Sequence, residues 1–120
     1  MSYIKNPFKI FEENRRKYAQ LEESYITDCL EVAGHNPIKA YTLAHLEILR
    51  NTISDTMESL GDVCIFQDEI GQIDRIKDYI NKTHFEKKQK KEVWKKIASV
   101  WDNANEKVQY LNSRLSENLQ

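Results

Sequence analysis

The sequence predicts an all-α fold: a four-helix bundle-like single domain with a long C-terminal helix that bears a heptad stripe. Three observations lead there. Glycine and proline are scarce, at 3 and 2 of 120 residues, and the Asn-Gly and Asp-Gly dipeptides that close β-hairpins are absent, so the chain has few places to turn tightly. Apolar residues recur at three- and four-residue steps, the period of a one-sided helix. Helix starts are signposted by Asn6-Pro7 and Asn36-Pro37, each a capping side chain before a proline at the first helical position.

The first helix is expected over 7–33, with a stripe of Phe11, Tyr18, Leu21, Tyr25, Cys29 and Val32 that polar Asn14 interrupts. Gly34 supplies the left-handed residue that ends it. The second is expected over 37–60, with Thr42, Leu46, Leu49, Ile53, Met57 and Leu60 on one face and Gly61 at its end. The short Gly34-His35-Asn36 link forces these two into an antiparallel hairpin. A third helix is placed over 62–81, starting at Asp62 or Asp68 and buried through Phe66, Ile70, Ile73, Ile76 and Ile80. Leu60 and Phe66 lie six steps apart, about 120° around one straight helix, so a bend is expected at Gly61-Asp62. Val63-Cys64-Ile65-Phe66 is the one stretch that could form a short strand.

Thr83-His84-Phe85-Glu86 has the form of a capping box, which places the fourth helix over 84–118. Its apolar positions Trp94, Ile97, Trp101, Ala104, Val108, Leu111 and Leu115 alternate three and four steps, a coiled-coil pattern. Such a helix measures about 52 Å against about 36 Å for the second, at about 1.5 Å per residue. The turns carrying Val108, Leu111 and Leu115 are therefore expected to overhang the bundle and to form a partner or homodimer interface.

With 18 basic and 19 acidic residues and a net charge of -1, the chain has no bulk attraction for nucleic acid or an anionic membrane, so only local patches count. No apolar run approaches the roughly 18 to 20 residues needed to cross a bilayer, and no signal-peptide core follows Met1, so the expected location is cytoplasmic, with no membrane partner. Cys29 and Cys64 have apolar neighbours and no Cys-x-x-Cys spacing, which points to buried thiols rather than a disulfide framework or zinc knot. The excess of lysine, isoleucine and asparagine suits an AT-rich coding sequence, as in a low-GC bacterium, its phage or another mobile element.

Nothing in the sequence assembles an active site, so no catalytic, metal-binding or cofactor-binding residue is assigned. His-Glu-x-x-His, EF-hand and Glu-x-x-His patterns are absent, as are a Gly-x-Ser-x-Gly elbow and a phosphate loop. His35, His45 and His84 stand apart from one another. Glu69, Asp74 and Asp78 share a side of the third helix with Arg75 and Lys77 interleaved, which reads as a solvated, salt-bridged face.

One local charge concentration stands out. Lys87, Lys88, Lys91 and Lys95 span an arc of about 100° beside Trp94 and Trp101. Cations at a helix N-terminus oppose the macrodipole by about a few tenths of a kcal/mol each, so local stability does not explain them. Three uses compete: a solvated face whose stems cover the tryptophans, a site for an acidic protein, and a site for nucleic-acid phosphates. The expected function is that of a non-enzymatic interaction protein, an adaptor, assembly factor or inhibitor of a partner protein, acting as a homodimer. A nucleic-acid-binding accessory protein using the lysine face is the first alternative, and a small helical enzyme the second.

Overall fold

The computed structural model describes residues 6–118, with side chains through Leu115. It contains five helices: α1 (Pro7–Ala19), α2 (Glu22–Val32), α3 (Pro37–Leu60), α4 (Gln67–Lys82) and α5 (Lys87–Asn118). No strand occurs among the described residues. Both Asn-Pro pairs cap as expected: Asn6 Oδ1 accepts from the Lys9 amide, and Asn36 Oδ1 from those of Ile38 and Lys39. α1 and α2 together run antiparallel to α3, and α4 returns antiparallel to both α3 and α5. The result is an up-down bundle of four columns, the first of them bent.

That bend corrects the expectation of one helix over 7–33. At Gln20-Leu21 the Leu21 amide bonds the carbonyl of Tyr18, a tight three-residue step, and the chain restarts as α2. No glycine or proline marks the spot, so tertiary anchors impose it. α1 is held by Phe11 in the core, by Asn14 donating to Thr56 Oγ1 at 3.1 Å, and by Tyr18 and Lys17 on Asp55. α2 is tied to an earlier stretch of α3, through Asn51 donating to the Tyr25 hydroxyl at 2.6 Å. α1 packs on both α3 and α5, whereas α2 packs chiefly on α3. Consequently α2 buries no residue fully, and Leu21 and Val32, expected in the stripe, are exposed.

Two other boundaries shift. Gly61 takes a left-handed φ of 69° and ends α3, with the Asp62 amide bonding the Met57 carbonyl. The chain then makes a turn in which Asp62 accepts from the Cys64 amide, and helix resumes at Gln67, one residue before the expected Asp68 start and not at Asp62. The strand candidate at 63–66 is thus a turn whose last residue, Phe66, is buried. The final helix starts at Lys87 and not at 84. Phe85 is drawn into the core, and its carbonyl accepts from Asn36 Nδ2, which keeps residues 83–85 out of the helix. The reach-back bond of a capping box falls three residues later than expected, between the Gln89 side chain and the Glu86 amide.

The core is continuous from Phe85 and Val93 at one end to Val108 and Phe11 at the other, with Leu46, Leu49, Ile53, Ile73 and Ile80 between them. The molecule measures 53 × 24 × 19 Å, and the 32-residue α5, about 48 Å at about 1.5 Å per residue, accounts for most of the long axis.

The thiols divide. Both are free, but Cys64 is exposed and only Cys29 is partly buried, so the expected pair of buried thiols is corrected by the open turn around Cys64. Burial first, then the carboxylates of Glu47 and Asp28, push the Cys29 thiol above its ordinary range. At mildly alkaline pH, iodoacetamide should modify Cys64 first and Cys29 about tenfold more slowly, because the thiolate is the nucleophile. Peptide mapping over time would check this, and equal rates in the folded protein would contradict the placement of α2.

Candidate partner-docking groove

Of the three residues expected at an exposed helix seam, Val108 is not available. It is fully buried in the chain's own core. α3 is shorter than α5, but α1 lies along α5 far enough for the Phe8 amide to donate to Asn112 Oδ1 at 2.9 Å. Leu111 and Leu115 are half-buried. The apolar seam therefore turns inward through Ile97, Ala104 and Val108, and only its last turns reach the surface.

Leu111 lines a groove of about 610 Å³ between α4, the 61–66 turn and the C-terminal half of α5. Its apolar wall is Ile65, Leu111 and Tyr110, and Tyr110 is 63 % exposed. Val63, 73 % exposed, stands on the adjoining turn. The rim carries the carboxylates of Asp62, Asp68 and Glu106. Among the described residues none of these three is in an ion pair. The remaining carboxylate, Glu69, is only 2 % exposed and holds Lys107, whose Nζ also donates to the Ile65 carbonyl at 3.0 Å. This corrects the reading of Glu69 as part of a solvated face. Asp74, Lys77 and Asp78 do lie on that face, paired with Arg50, Glu47 and Lys82. The Glu69–Lys107 pair ties α4 to α5 and forms the floor of the groove, leaving the rim acidic.

Toward the other end of the molecule, Lys87, Lys88, Lys91 and Lys95 are all exposed, and none is ion-paired among the described residues. Their neighbours differ. Lys90 lies over the Tyr41 ring at 4.9 Å and Lys96 over Tyr79 at 5.5 Å. The tryptophans are half-buried, with Trp101 stacked by Arg15 at 4.3 Å and edge-on to Phe11. On the other indole, Trp94, the rings of Tyr41 and His45 pack.

A second, smaller cleft of about 310 Å³ opens where α2 leaves α5, lined by Glu22, His45, Trp94 and Trp101. His45, Tyr41 and Trp94 form a triangle of tilted rings, with His45 4.6 Å from Tyr41 and 5.0 Å from Trp94, and Tyr41 5.6 Å from Trp94. His45 Nε2 sits 2.8 Å from Glu22 Oε2 without hydrogen-bond geometry, and the buried Trp94 Nε1 has no acceptor among the described residues. His35 and His84 are exposed, the latter 3.0 Å from Glu86. Among the described residues no three histidine, cysteine or carboxylate side chains converge as a metal site would require, and no helix is long and apolar enough to cross a membrane.

Sequence reasoning found Leu111 and the lysine ribbon but missed Tyr110, which falls between the heptad positions. It also missed the rim, which three separate segments contribute. Compared with known protein families, curated proteins and solved structures, the chain matches none.

Proposed function

We propose that the protein acts without catalysis, as an adaptor, assembly factor or inhibitor, by docking a basic, apolar-faced helix of another protein in the α4–α5 groove. One observation carries this: Tyr110 and Val63 stand exposed beside a rim of carboxylates that have no cationic partner among the described residues. Apolar side chains flanked by unneutralised charge specify both the apolar face and the sign of a partner. Covering the free parts of Tyr110 and Val63 is worth about 2 to 4 kcal/mol before association entropy, so electrostatic complementarity must supply the rest. The interaction is thus expected to be moderate and salt-sensitive. A homodimer paired along the helix seam loses its rationale with Val108 inside the core.

The test is a backbone amide NMR titration with two helical peptides of alternating leucine and charge, one lysine-based and one glutamate-based. The lysine peptide should shift resonances around Tyr110, Leu111 and Asp68, and Tyr110→Ala with Asp68→Lys should weaken its binding by more than about tenfold, since a central aromatic and a reversed charge are both lost. Equal binding of the glutamate peptide, or shifts confined elsewhere, would reject the groove.

The lysine ribbon supports a second reading, a nucleic-acid accessory role. The rings beside it are engaged with Arg15, His45 and Tyr41, so it offers phosphate contacts without a stacking platform. Binding of that kind is sequence-independent and falls steeply with salt.

A further inference from the structure

Resting on the reading of the groove as a docking site for a basic helix, we infer that the helix it takes is the lysine ribbon of a second copy of this chain, giving head-to-tail self-association. Lys87, Lys88, Lys91 and Lys95 of one copy would lie against Asp62, Asp68 and Glu106 of the next. Both sets are exposed or on the groove rim, and neither is ion-paired within the chain among the described residues. They cannot meet within one molecule. Lys91 and Lys107, near the centres of ribbon and groove, are sixteen residues apart on α5, about 24 Å at about 1.5 Å per residue, well beyond the reach of a lysine side chain.

The chain already uses the contact this interface needs. Lysine ammonium groups lie over tyrosine rings in three internal pairs: Lys17 on Tyr18, Lys90 on Tyr41 and Lys96 on Tyr79. Tyr110 is the most exposed large aromatic among the described residues and has no cation over it, while the four ribbon lysines have no ring beneath them. A ribbon lysine on Tyr110 completes both. A net charge of -1 sets up little repulsion between copies. Because ribbon and groove are different surfaces, the contact is heterologous, and it propagates as an open chain unless its rotation closes a ring.

Sedimentation equilibrium on the full chain decides the matter, with two neutralised variants whose folding is verified by circular dichroism. One carries Lys87→Gln, Lys88→Gln, Lys91→Gln and Lys95→Gln. The other carries Asp62→Asn, Asp68→Asn and Glu106→Gln, where the amide introduced at position 62 keeps an oxygen to cap the turn. At low salt the wild type should show a mass that rises with concentration beyond a dimer, and at high salt it should return to the monomer. Each variant alone should be monomeric, yet an equimolar mixture should form one-to-one dimers, because one supplies the intact groove and the other the intact ribbon. A wild type that stays monomeric at low salt, association that survives in either variant, or a mixture that stays monomeric would overturn the inference. If the wild type is monomeric but the lysine peptide still binds around Tyr110, the groove reading stands and only self-docking falls. If neither binds, both fall.

Discussion

Phe11→Ala should lower the stability of the protein by about 3 to 5 kcal/mol, the range for removing a buried aromatic ring without collapse of the space it leaves. The ring is fully buried where α1, the head of α4 and α5 meet, 6.4 Å from Phe66 and 5.9 Å edge-on from Trp101. Its loss removes aromatic pairing worth about 0.5 to 1.5 kcal/mol per pair beyond the buried area. For a chain of this size the melting temperature should fall by about 12 to 20 °C, at about 4 °C per kcal/mol. Trp101 gives a second readout. With the ring gone, α1 is loosened, and the Trp101 emission should shift to the red before global unfolding. A loss below about 1 kcal/mol would mean that α1 does not close this end of the core.

Lys107→Met should destabilise by about 2 to 4 kcal/mol through the group it leaves behind. Breaking a fully buried ion pair costs about 3 to 5 kcal/mol because the surviving charge has no partner and little water. Here Glu69 is 3 % exposed in its side chain but Lys107 is 35 % exposed, so solvent lowers the figure. The Ile65 carbonyl also loses its donor. Adding Glu69→Leu to Lys107→Met should recover the stability to within about 1 kcal/mol of wild type, since an apolar pair of similar size replaces the ionic one. Chemical denaturation of the four proteins of this cycle measures the coupling directly. A single variant as stable as the wild type would show that water reaches Glu69 and that the pair does not hold α4 on α5.

Of the candidate site, the sequence disclosed what depends on one helix. Leu111 was legible from its heptad position, and the ribbon from lysines that share an arc of α5. Tyr110 was not, because its exposure depends on what α4 and the 61–66 turn leave uncovered. Asp62, Asp68 and Glu106 sit on different segments, and nothing in the local pattern brings them to one rim. Glu69 shows the same limit from the other side. Its helix position allowed a solvated face, and only Lys107, 38 residues further along the chain, makes its burial tolerable.

By itself, then, the sequence determined the all-helical class, the capped starts at Asn6 and Asn36, the stops at Gly34 and Gly61, and the α5 stripe that runs through Ile97 and Ala104. These follow from hydrogen bonds and side-chain period within a turn or two of the residue concerned. Only the tertiary structure decided the break at Gln20-Leu21, the covering of Val108 by α1, the late start of α5 behind Phe85, and the acidic groove around Tyr110. Each depends on which distant segment occupies the space beside a helix. That choice is made by packing the whole chain at once, because burial is a property of neighbours in space and not along the sequence.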